Sequence, residues 1–355
     1  MSTQLRVNPL PSPTWRWLKL NDAVTEVDFT KYVALQTTDG HLELSENLHE
    51  HTKRLEEYDE YEDGLGEVTR KILKDAEVLP DCFELEKAHQ AEAKFQMTFQ
   101  GENSLLTEEL DFLAKEDSDL TIYMDFASKG KGQALLSTKI KVEKNARVRL
   151  VQIHRIGEDF QFFNNVSTRV EDFGNFELIH IFLTGNKVYI GACTELFGKE
   201  SNLKIDTGYQ VKGSDLLDIN YVARHKGYKT NSEITVNGVL KDQAKKTFRG
   251  TIDFIYGSDK AIGNEVEDVL LLDQGVTNKT VPVILCEEED VQGNHGATIG
   301  RIGEDLIYYL SSRGMKEEEI YKMMAQGRLM TTIHLIENEE IRKELTELVL
   351  GKKEE

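Results

Sequence analysis

Residues 120–126 read LTIYMDF, and the same texture returns at 135–142 (LLSTKIKV) and 146–153 (ARVRLVQI). These runs are rich in β-branched and aromatic residues and alternate apolar with polar positions, which predicts short β-strands. Similar runs extend from about Phe95 to Val291, and almost no pattern of helix length interrupts them. The central part of the chain is therefore predicted to be almost entirely β-structure.

Turn signals separate the predicted strands. They contain Gly and Asn, which tolerate the positive φ angles of sharp turns. The predicted turns are Lys144-Asn145, Phe173-Gly174-Asn175, Gly185-Asn186, Lys212-Gly213 and Asn237-Gly238.

A sandwich, a barrel and a coil of stacked strands are all compatible with this pattern. Gly174 and Gly198 lie 24 residues apart and Gly213 and Gly238 lie 25 apart, about the length of one coil of a parallel β-helix, but the 15 residues between Gly198 and Gly213 break the series. Periodicity alone does not choose among the three architectures. A β-helix would leave an open strand edge at each end, so each end would need a cap or a partner.

The flanking regions differ from the centre. Glu43–Gln90 is rich in Glu, Lys and Leu and includes the acidic run EEYDEYED at 56–63, which predicts a solvated helical segment. After Gly303, apolar residues at helical spacing predict amphipathic helices at 304–312, 316–325 and 338–350. The resulting division is a mostly helical N-terminal region at 1–93, a β-core at 94–302 and a helical C-terminal region at 303–355.

Charge and composition exclude several classes of partner and site. The chain has 43 basic and 63 acidic residues, and the net charge of −20 repels phosphate backbones and anionic lipid heads. Neither nucleic acid nor a membrane is expected as a partner. The sequence contains no CxxC, HExxH or GxxxxGK[ST] motif and no long apolar run. Cys82, Cys193 and Cys286 are odd in number and far apart, which favours a reducing compartment and a cytoplasmic protein.

Two segments resemble a known family. His295–Gly314, HGATIGRIGEDLIYYLSSRG, resembles the most diagnostic stretch of the SufD branch of the SufB/SufD family of iron-sulfur cluster assembly proteins. Thr230–Gly250, TNSEITVNGVLKDQAKKTFRG, is similar to the family's T-x-S, G-V-L-x-D-x-A and F-x-G elements. The resemblance extends over about 177–327, and further upstream only Pro13-Thr14-Trp15 and its neighbours match, loosely.

The resemblance implies a right-handed parallel β-helix between helical terminal regions. Family members are non-catalytic scaffolds that act with the ATPase SufC, usually as a SufB-SufD pair that assembles a cluster, and the ATPase activity belongs to SufC. A SufB-type subunit is expected at the end strands of the β-helix, and SufC on the C-terminal helices. The residues expected to contact SufC are Leu306, Tyr309, Leu310, Arg313, Ile320, Met323 and Met324.

The resemblance also singles out His295, which occupies the histidine position of HGAT. At a subunit interface its imidazole could bind iron or relay a proton, so a transient cluster or iron is expected there and no intrinsic cofactor. The residues alone also allow a hydrogen-bonded turn histidine beside Gly296. Gly293 stands where the family often has Cys, and Gly296 where SufB has Glu, so the chain is closer to SufD.

The other candidate ligands are predicted to be structural. Cys286 follows the run VPVIL at 281–285, which predicts a buried strand thiol. His154 and His180 alternate with apolar neighbours, which predicts strand positions with hydrogen-bonded imidazoles, and His225 is predicted in a turn.

Two alternative functions remain open from sequence. One is a homodimeric SufBD-type scaffold that works with SufC. The other is a carbohydrate-active enzyme on a parallel β-helix, in which two carboxylates about 5 to 9 Å apart would flank the sugar.

Overall fold

Successive strands in the centre of the chain alternate between two sheets that face each other. The computed structural model describes residues 2–14, 16–34, 42–51, 54–102 and 104–351. Trp15, part of the loose N-terminal resemblance, lies outside these residues.

The strands, in chain order, are β1 (Ser2–Val7), β2 (Ala23–Asp28), β3 (Lys31–Ala34), β4 (Leu42–Leu44), β5 (Leu48–His51), β6 (Asp81–Leu85), β7 (Gln90–Phe99), β8 (Ser104–Ala114), β9 (Asp119–Ser128), β10 (Gly132–Val142), β11 (Arg147–Arg155), β12 (Phe160–Val170), β13 (Asn175–Thr184), β14 (Lys187–Leu196), β15 (Asn202–Val211), β16 (Leu216–His225), β17 (Asn231–Leu240), β18 (Lys245–Phe254), β19 (Ile262–Leu271), β20 (Thr277–Cys286) and β21 (Gln292–Gly300). The α-helices are α1 (Val68–Asp75), α2 (Glu304–Ser312), α3 (Glu317–Ile333) and α4 (Glu339–Leu350).

The strand order confirms the predicted parallel β-helix. Sheet I has the order β20-β18-β16-β14-β12-β10-β8-β6-β5, with β3 also paired to β8, and sheet II has the order β21-β19-β17-β15-β13-β11-β9-β7-β4. Strands of successive coils pair in parallel, whereas β4 and β5 join the first coils in antiparallel pairs. One coil takes 28 residues between Arg149 and Glu177 and 29 between Arg224 and Asp253, more than the predicted 24 to 25.

The turns from sheet I to sheet II form a backbone ladder of their own. Asn145, Phe173, Glu200 and Lys229 have φ angles of 57°, 59°, 54° and 54° at equivalent places in four successive turns. The Phe173 N–H donates to the Lys199 carbonyl at 2.9 Å, and the Lys229 N–H donates to the Asp259 carbonyl at 2.9 Å, each in the next coil. These bonds offset the cost of about 1–2 kcal/mol that a non-glycine residue incurs in this conformation.

Four of the five predicted turns are confirmed, and the one at Asn237-Gly238 is wrong. Both residues lie inside β17. A Cβ atom on Gly238 would lie 1.8 Å from the ring of Tyr209 in the preceding coil. This glycine therefore makes room for a buried aromatic ring and does not mark a turn.

The core lies between the two sheets and is built from columns of register partners. One column on sheet II runs through Ile122, Leu150, Leu178, Ile205 and Ile234, all of which are buried. Register partners in parallel strands point to the same face, so each coil places its side chain against the equivalent one in the next coil.

The prediction of a mostly helical N-terminal region is wrong for the described residues. They form β1 to β6, short 3₁₀ turns and one helix of eight residues, α1. The acidic run at 56–63 is only partly solvated: it lies across the outer face of sheet I, where Tyr58 and Tyr61 are buried and Glu62 pairs with Arg224, while Glu56, Asp59 and Glu60 are exposed. The run was misread because several of the basic residues that pair with it, Lys141, Arg169 and Arg224, lie far along the chain.

The C-terminal helices are confirmed, although α3 continues through Gly327 to Ile333. Helices α3 and α4 bury Leu329, Ile333 and Leu345 against the outer face of sheet II. Helix α2 has no buried residue. No helix in the described part of the chain is long and apolar enough to cross a membrane.

Candidate functional site at the open end of the β-helix

The β-helix ends in two strands that each lack a second neighbour among the described strands, β20 and β21. Every residue of β21 is exposed except Gly300, which is half-buried. In β20 only Val281 is buried. This end therefore presents unpaired backbone groups and the cross-section of the core.

One inward-facing column of sheet II becomes ionisable in the last two coils. The aliphatic column that ends at Ile234 continues with Glu265 and then His295. The neighbouring column continues from Val236 to Glu267. The first column thus changes from aliphatic to ionisable groups where the β-helix opens, whereas the neighbouring column already contains Gln152, His180 and Thr207 in the middle coils.

Glu265 is a buried carboxyl group with an unpartnered oxygen. Its exposure is 3%, and Oε2 has no hydrogen-bond partner in the described residues. The group reaches across the interior to Gly250, where a Cβ atom would lie 2.1 Å from Oε2. Burial and then the Glu267 charge raise the pKa of Glu265 to about 8 against the effect of Lys246, so the group is mostly protonated at pH 7.

Beside it, Lys246 and Glu267 form an ion pair whose side chains are both fully buried. Thr280 donates a hydrogen bond to Glu267 Oε2 at 2.6 Å. Burial lowers the pKa of Lys246, and Glu267 opposes this shift. Removing either partner would leave an uncompensated buried charge.

His295 lies within β21 and not in a turn, so the alternative that the residues alone allowed is wrong. It is exposed and has no hydrogen-bond or ion-pair partner in the described chain. Nor do the described residues contain a group of three or more His, Cys, Asp or Glu side chains placed to hold a metal ion.

Cys286 is exposed at the end of β20, so the prediction of a buried thiol is wrong. The run before it is a strand as expected, but this strand is the last of its sheet and no further coil covers it. Its Sγ donates to the Glu288 carbonyl at 2.9 Å.

The buried histidines are structural, as predicted for two of them, but their environments differ. His180 Nε2 donates to Gln152 at 2.8 Å and Nδ1 accepts from Tyr221 at 2.6 Å. Burial lowers the pKa of His180 to about 3. Among the described residues His154 finds no hydrogen-bond partner for either ring nitrogen, and it stacks on Phe182 at 4.3 Å, so the predicted bonded imidazole is wrong there.

His225 is the last residue of β16 and is buried, so the predicted turn is wrong. Its ring nitrogens hydrogen-bond to Thr230 at 2.7 Å and to Ser232 at 2.8 Å. Thr230 and Ser232 form the T-x-S element through which the sequence resembles the family. In this structure both hydroxyl groups hydrogen-bond to the His225 imidazole.

The residues predicted to contact SufC do not share one surface. Ile320 is buried with Val239 and Leu270, and Leu310 and Met324 pack partly against the same cluster. The exposed members are Leu306, Tyr309, Arg313 and Met323, with the Arg313 guanidinium 4.6 Å from the Tyr309 ring centre.

A comparison of the sequence with protein families gives one family for most of the β-helix. The model "SUF system FeS cluster assembly, SufBD core domain" matches residues 97–328. The chain belongs to the SufBD core family. The matched range begins in β7 and ends in α3, so it includes both strands of the open end.

Three similar proteins of the SufBD family come from different bacteria. The chain is 28% identical to iron-sulfur cluster assembly protein SufD of Bacillus subtilis (strain 168) over 153 residues, which are 43% of this chain and 34% of that protein. It is 26% identical to SufD of Escherichia coli (strain K12) over 214 residues, 59% of this chain and 50% of that protein. It is 27% identical to a SufBD family protein of Staphylococcus saprophyticus over 191 residues, 53% of this chain and 41% of that protein. The matches span half or less of the length of these relatives.

Sequence reasoning found His295 but missed Lys246, Glu265 and Glu267. A signal was present, because Glu265 and Glu267 occupy alternate positions in a run that ends in the apolar Val269–Leu272. Alternation shows that the two side chains share a face of the strand. It does not show that this face is the interior.

Proposed function

We propose that this chain is a SufD-like scaffold subunit of an iron-sulfur cluster assembly complex, which pairs with a SufB-type subunit and binds a SufC-type ATPase. The observation that carries the proposal is a SufBD core domain whose β-helix ends in an uncovered coil. Two similar proteins are named iron-sulfur cluster assembly protein SufD.

The uncovered coil supports pairing through β20 and β21. Edge strands offer unpaired N–H and C=O groups to a partner strand, and side chains at alternate positions give the pairing its specificity. Ile299 and Ala297 face inward on β21 and are exposed only because no coil follows them. A partner strand would cover both, and either a SufB-type chain or a second copy of this chain could supply it.

Helices α2 and α3 support the ATPase contact through their exposed residues Leu306, Tyr309, Arg313 and Met323. In this proposal the chain is not an enzyme, nucleotide hydrolysis belongs to SufC, and a cluster or iron is cargo held briefly near His295. The three free cysteines fit a reducing, cytoplasmic location. The family match gives no support to a carbohydrate-active enzyme.

The test is co-purification of the tagged full-length chain with the SufC-type and SufB-type proteins of the same organism. Met323→Glu should abolish SufC capture, because it places a charge in an apolar contact. Leu348→Glu on α4 is the matched control, since Leu348 is 53% exposed and Met323 is 42% exposed. Capture that survives Met323→Glu would contradict the docking surface, and failure of the unaltered chain to capture either protein would contradict the proposed function.

His295→Ala should lower cluster yield in the reconstituted complex while leaving the complex assembled. An equal yield from the variant would show that this imidazole does not take part.

A further inference from the structure

We propose that a cavity on the outer face of sheet I binds an aliphatic diamine, with one ammonium group on Asp111 and the other near Glu56. The cavity has a volume of about 330 Å³, within the usual range for small-ligand sites. It lies at the end of sheet I that is opposite to β20. The proposal goes beyond the assembly role and does not depend on it.

The cavity lies where the segment 54–58 crosses the first strands of sheet I. Strands β5, β6 and β8 supply its floor, and their residues His51, Cys82 and Asp111 are register partners in one row. This row faces outward, because Phe112 beside Asp111 packs in the core. The crossing segment therefore covers the row and leaves a space above it.

Asp111 supplies a buried acceptor that lacks a partner. It is 1% exposed, and its Oδ2 accepts from Arg54 at 2.7 Å, whereas Oδ1 has no hydrogen bond within the described residues. Arg54 cannot serve Oδ1 as well, since it also pairs with Glu109 at 3.1 Å and with Asp59 at 2.9 Å. A buried oxygen without a donor costs free energy, which a donor group in the cavity would recover.

The walls beside Asp111 suit an alkyl chain. Leu55, Leu113 and the ring of Tyr58 line the space. The Tyr58 hydroxyl donates to the Phe112 carbonyl at 2.7 Å, so it is not available to a ligand as a donor. An alkylammonium ion matches these walls, because its stem is apolar and its charged end donates a strong hydrogen bond to a carboxylate.

The charges at the rim favour a second ammonium group on the same ligand. Glu56 lines the cavity and is exposed, and it has no ion pair with another described residue. Glu84 also lines the cavity, although Lys115 shares its charge. A lysine side chain would bring only a neutral backbone to this rim, whereas a diamine brings a cation. The charge pattern therefore favours a free diamine.

The experiment is calorimetric titration of the full-length chain with cadaverine, an aliphatic diamine. An ionic strength of about 0.15 M screens its general attraction to the acidic chain. One molecule per chain is expected. Pentanol, which lacks an ammonium group, should not bind. Pentylamine, which lacks the second one, should bind about threefold more weakly, because an exposed ion pair contributes little.

Two substitutions test the two carboxyl groups. Asp111→Asn should weaken cadaverine binding at least tenfold, because it removes the charge that the ammonium group meets. Asp253→Asn is its control, since Asp253 is also buried on the outer face of sheet I and bonded to an arginine, Arg224. Glu56→Gln should lose about threefold. Glu60→Gln, exposed in the same 3₁₀ turn, should lose nothing.

Circular dichroism of each variant would show that it is folded. No binding of cadaverine to the unaltered chain would overturn the site, as would unchanged affinity in folded Asp111→Asn or an equal loss in Asp253→Asn. Pentanol that binds as tightly as cadaverine would overturn the cationic ligand. Equal affinity for Nα-acetyl-lysine amide would overturn the choice of a diamine over a lysine side chain.

Discussion

His154 is a buried residue whose ring nitrogens lose their contact with water on folding and receive no hydrogen bond from the described residues in return. Neither ring nitrogen has a hydrogen-bond partner in the part of the chain that the structure describes, and the ring lies among Phe126, Phe162 and Phe182. An unsatisfied buried polar group costs about 1–3 kcal/mol. The position accepts histidine because an aromatic ring of this size fills the space.

His154→Phe should therefore raise the free energy of unfolding by about 1 kcal/mol, because it removes unpaired polar atoms and keeps an aromatic ring. Urea denaturation at pH 7 would measure the change. His180→Phe is the contrasting variant and should destabilise, since it breaks bonds to Gln152 and Tyr221. Equal destabilisation by the two variants would contradict this account of His154.

Glu265 links stability to pH. Its pKa is about 8 in the folded chain, above the ordinary carboxyl value of 4.5. The folded state therefore holds this proton more tightly than the unfolded state, so the stability from the protonated group is complete below pH 4.5 and is lost as the pH rises towards 8.

Compared with the unaltered chain, Glu265→Gln should become progressively more stable as the pH rises from 5 to 8, by at most about 1.4 kcal/mol per pH unit. Urea unfolding at several pH values would give the difference. Exposed Glu233→Gln should show a flat difference over the same range. A flat difference for Glu265→Gln as well would mean that the carboxyl is ionised in the folded chain.

At the scale of the strand, close packing between coils explains several glycines. The Tyr209 ring occupies the place of a side chain at Gly238, and the Glu265 carboxyl occupies that place at Gly250. Both glycines belong to elements through which the sequence resembles the family. Their role is to admit a side chain from a neighbouring strand.

Gly238→Ala should destabilise the chain by roughly 2–3 kcal/mol, because the new methyl group overpacks against a buried ring. Chemical denaturation would measure the loss. In the double variant with Tyr209→Ala the added cost of the methyl group should disappear, which a double-mutant cycle detects. Additive effects of the two substitutions would show that the ring is not what requires glycine.

At the scale of the whole molecule, the N-terminal segment covers sheet I and helices α3 and α4 cover sheet II. Asn8 donates to Asp218 at 2.7 Å, and α3 and α4 bury their apolar residues on sheet II. Both outer faces are thus occupied by parts of the same chain. The end formed by β20 and β21 is left as the surface at which the core is open.

Ile299→Glu should abolish pairing with the partner chain while leaving the isolated chain folded, since Ile299 is already 44% exposed. A charge at this position would be buried by the partner strand without a counter-ion. Size-exclusion chromatography of the mixed subunits would measure the loss. Val266→Glu on β19 is the control, because Val266 is 53% exposed and faces outward. Loss of pairing in both variants would contradict an interface at this end.

The sequence by itself determined the strand-rich centre, most of its turns and the three C-terminal helices, because each depends on neighbours a few residues away. The resemblance at 230–250 and 295–314 supplied the β-helix and His295. The N-terminal region was misread because the acidic run at 56–63 meets basic partners such as Arg224 only after the coils stack.

Which side chains line the interior at the open end depends on the tertiary structure alone. Whether Glu265 faces the core depends on the register of β19 against strands about 30 residues away on either side, and a shift of one residue would point it outward. That register is set by the packing of whole coils. A pattern within one strand shows which residues share a face, and only the stacked coils show which face is buried.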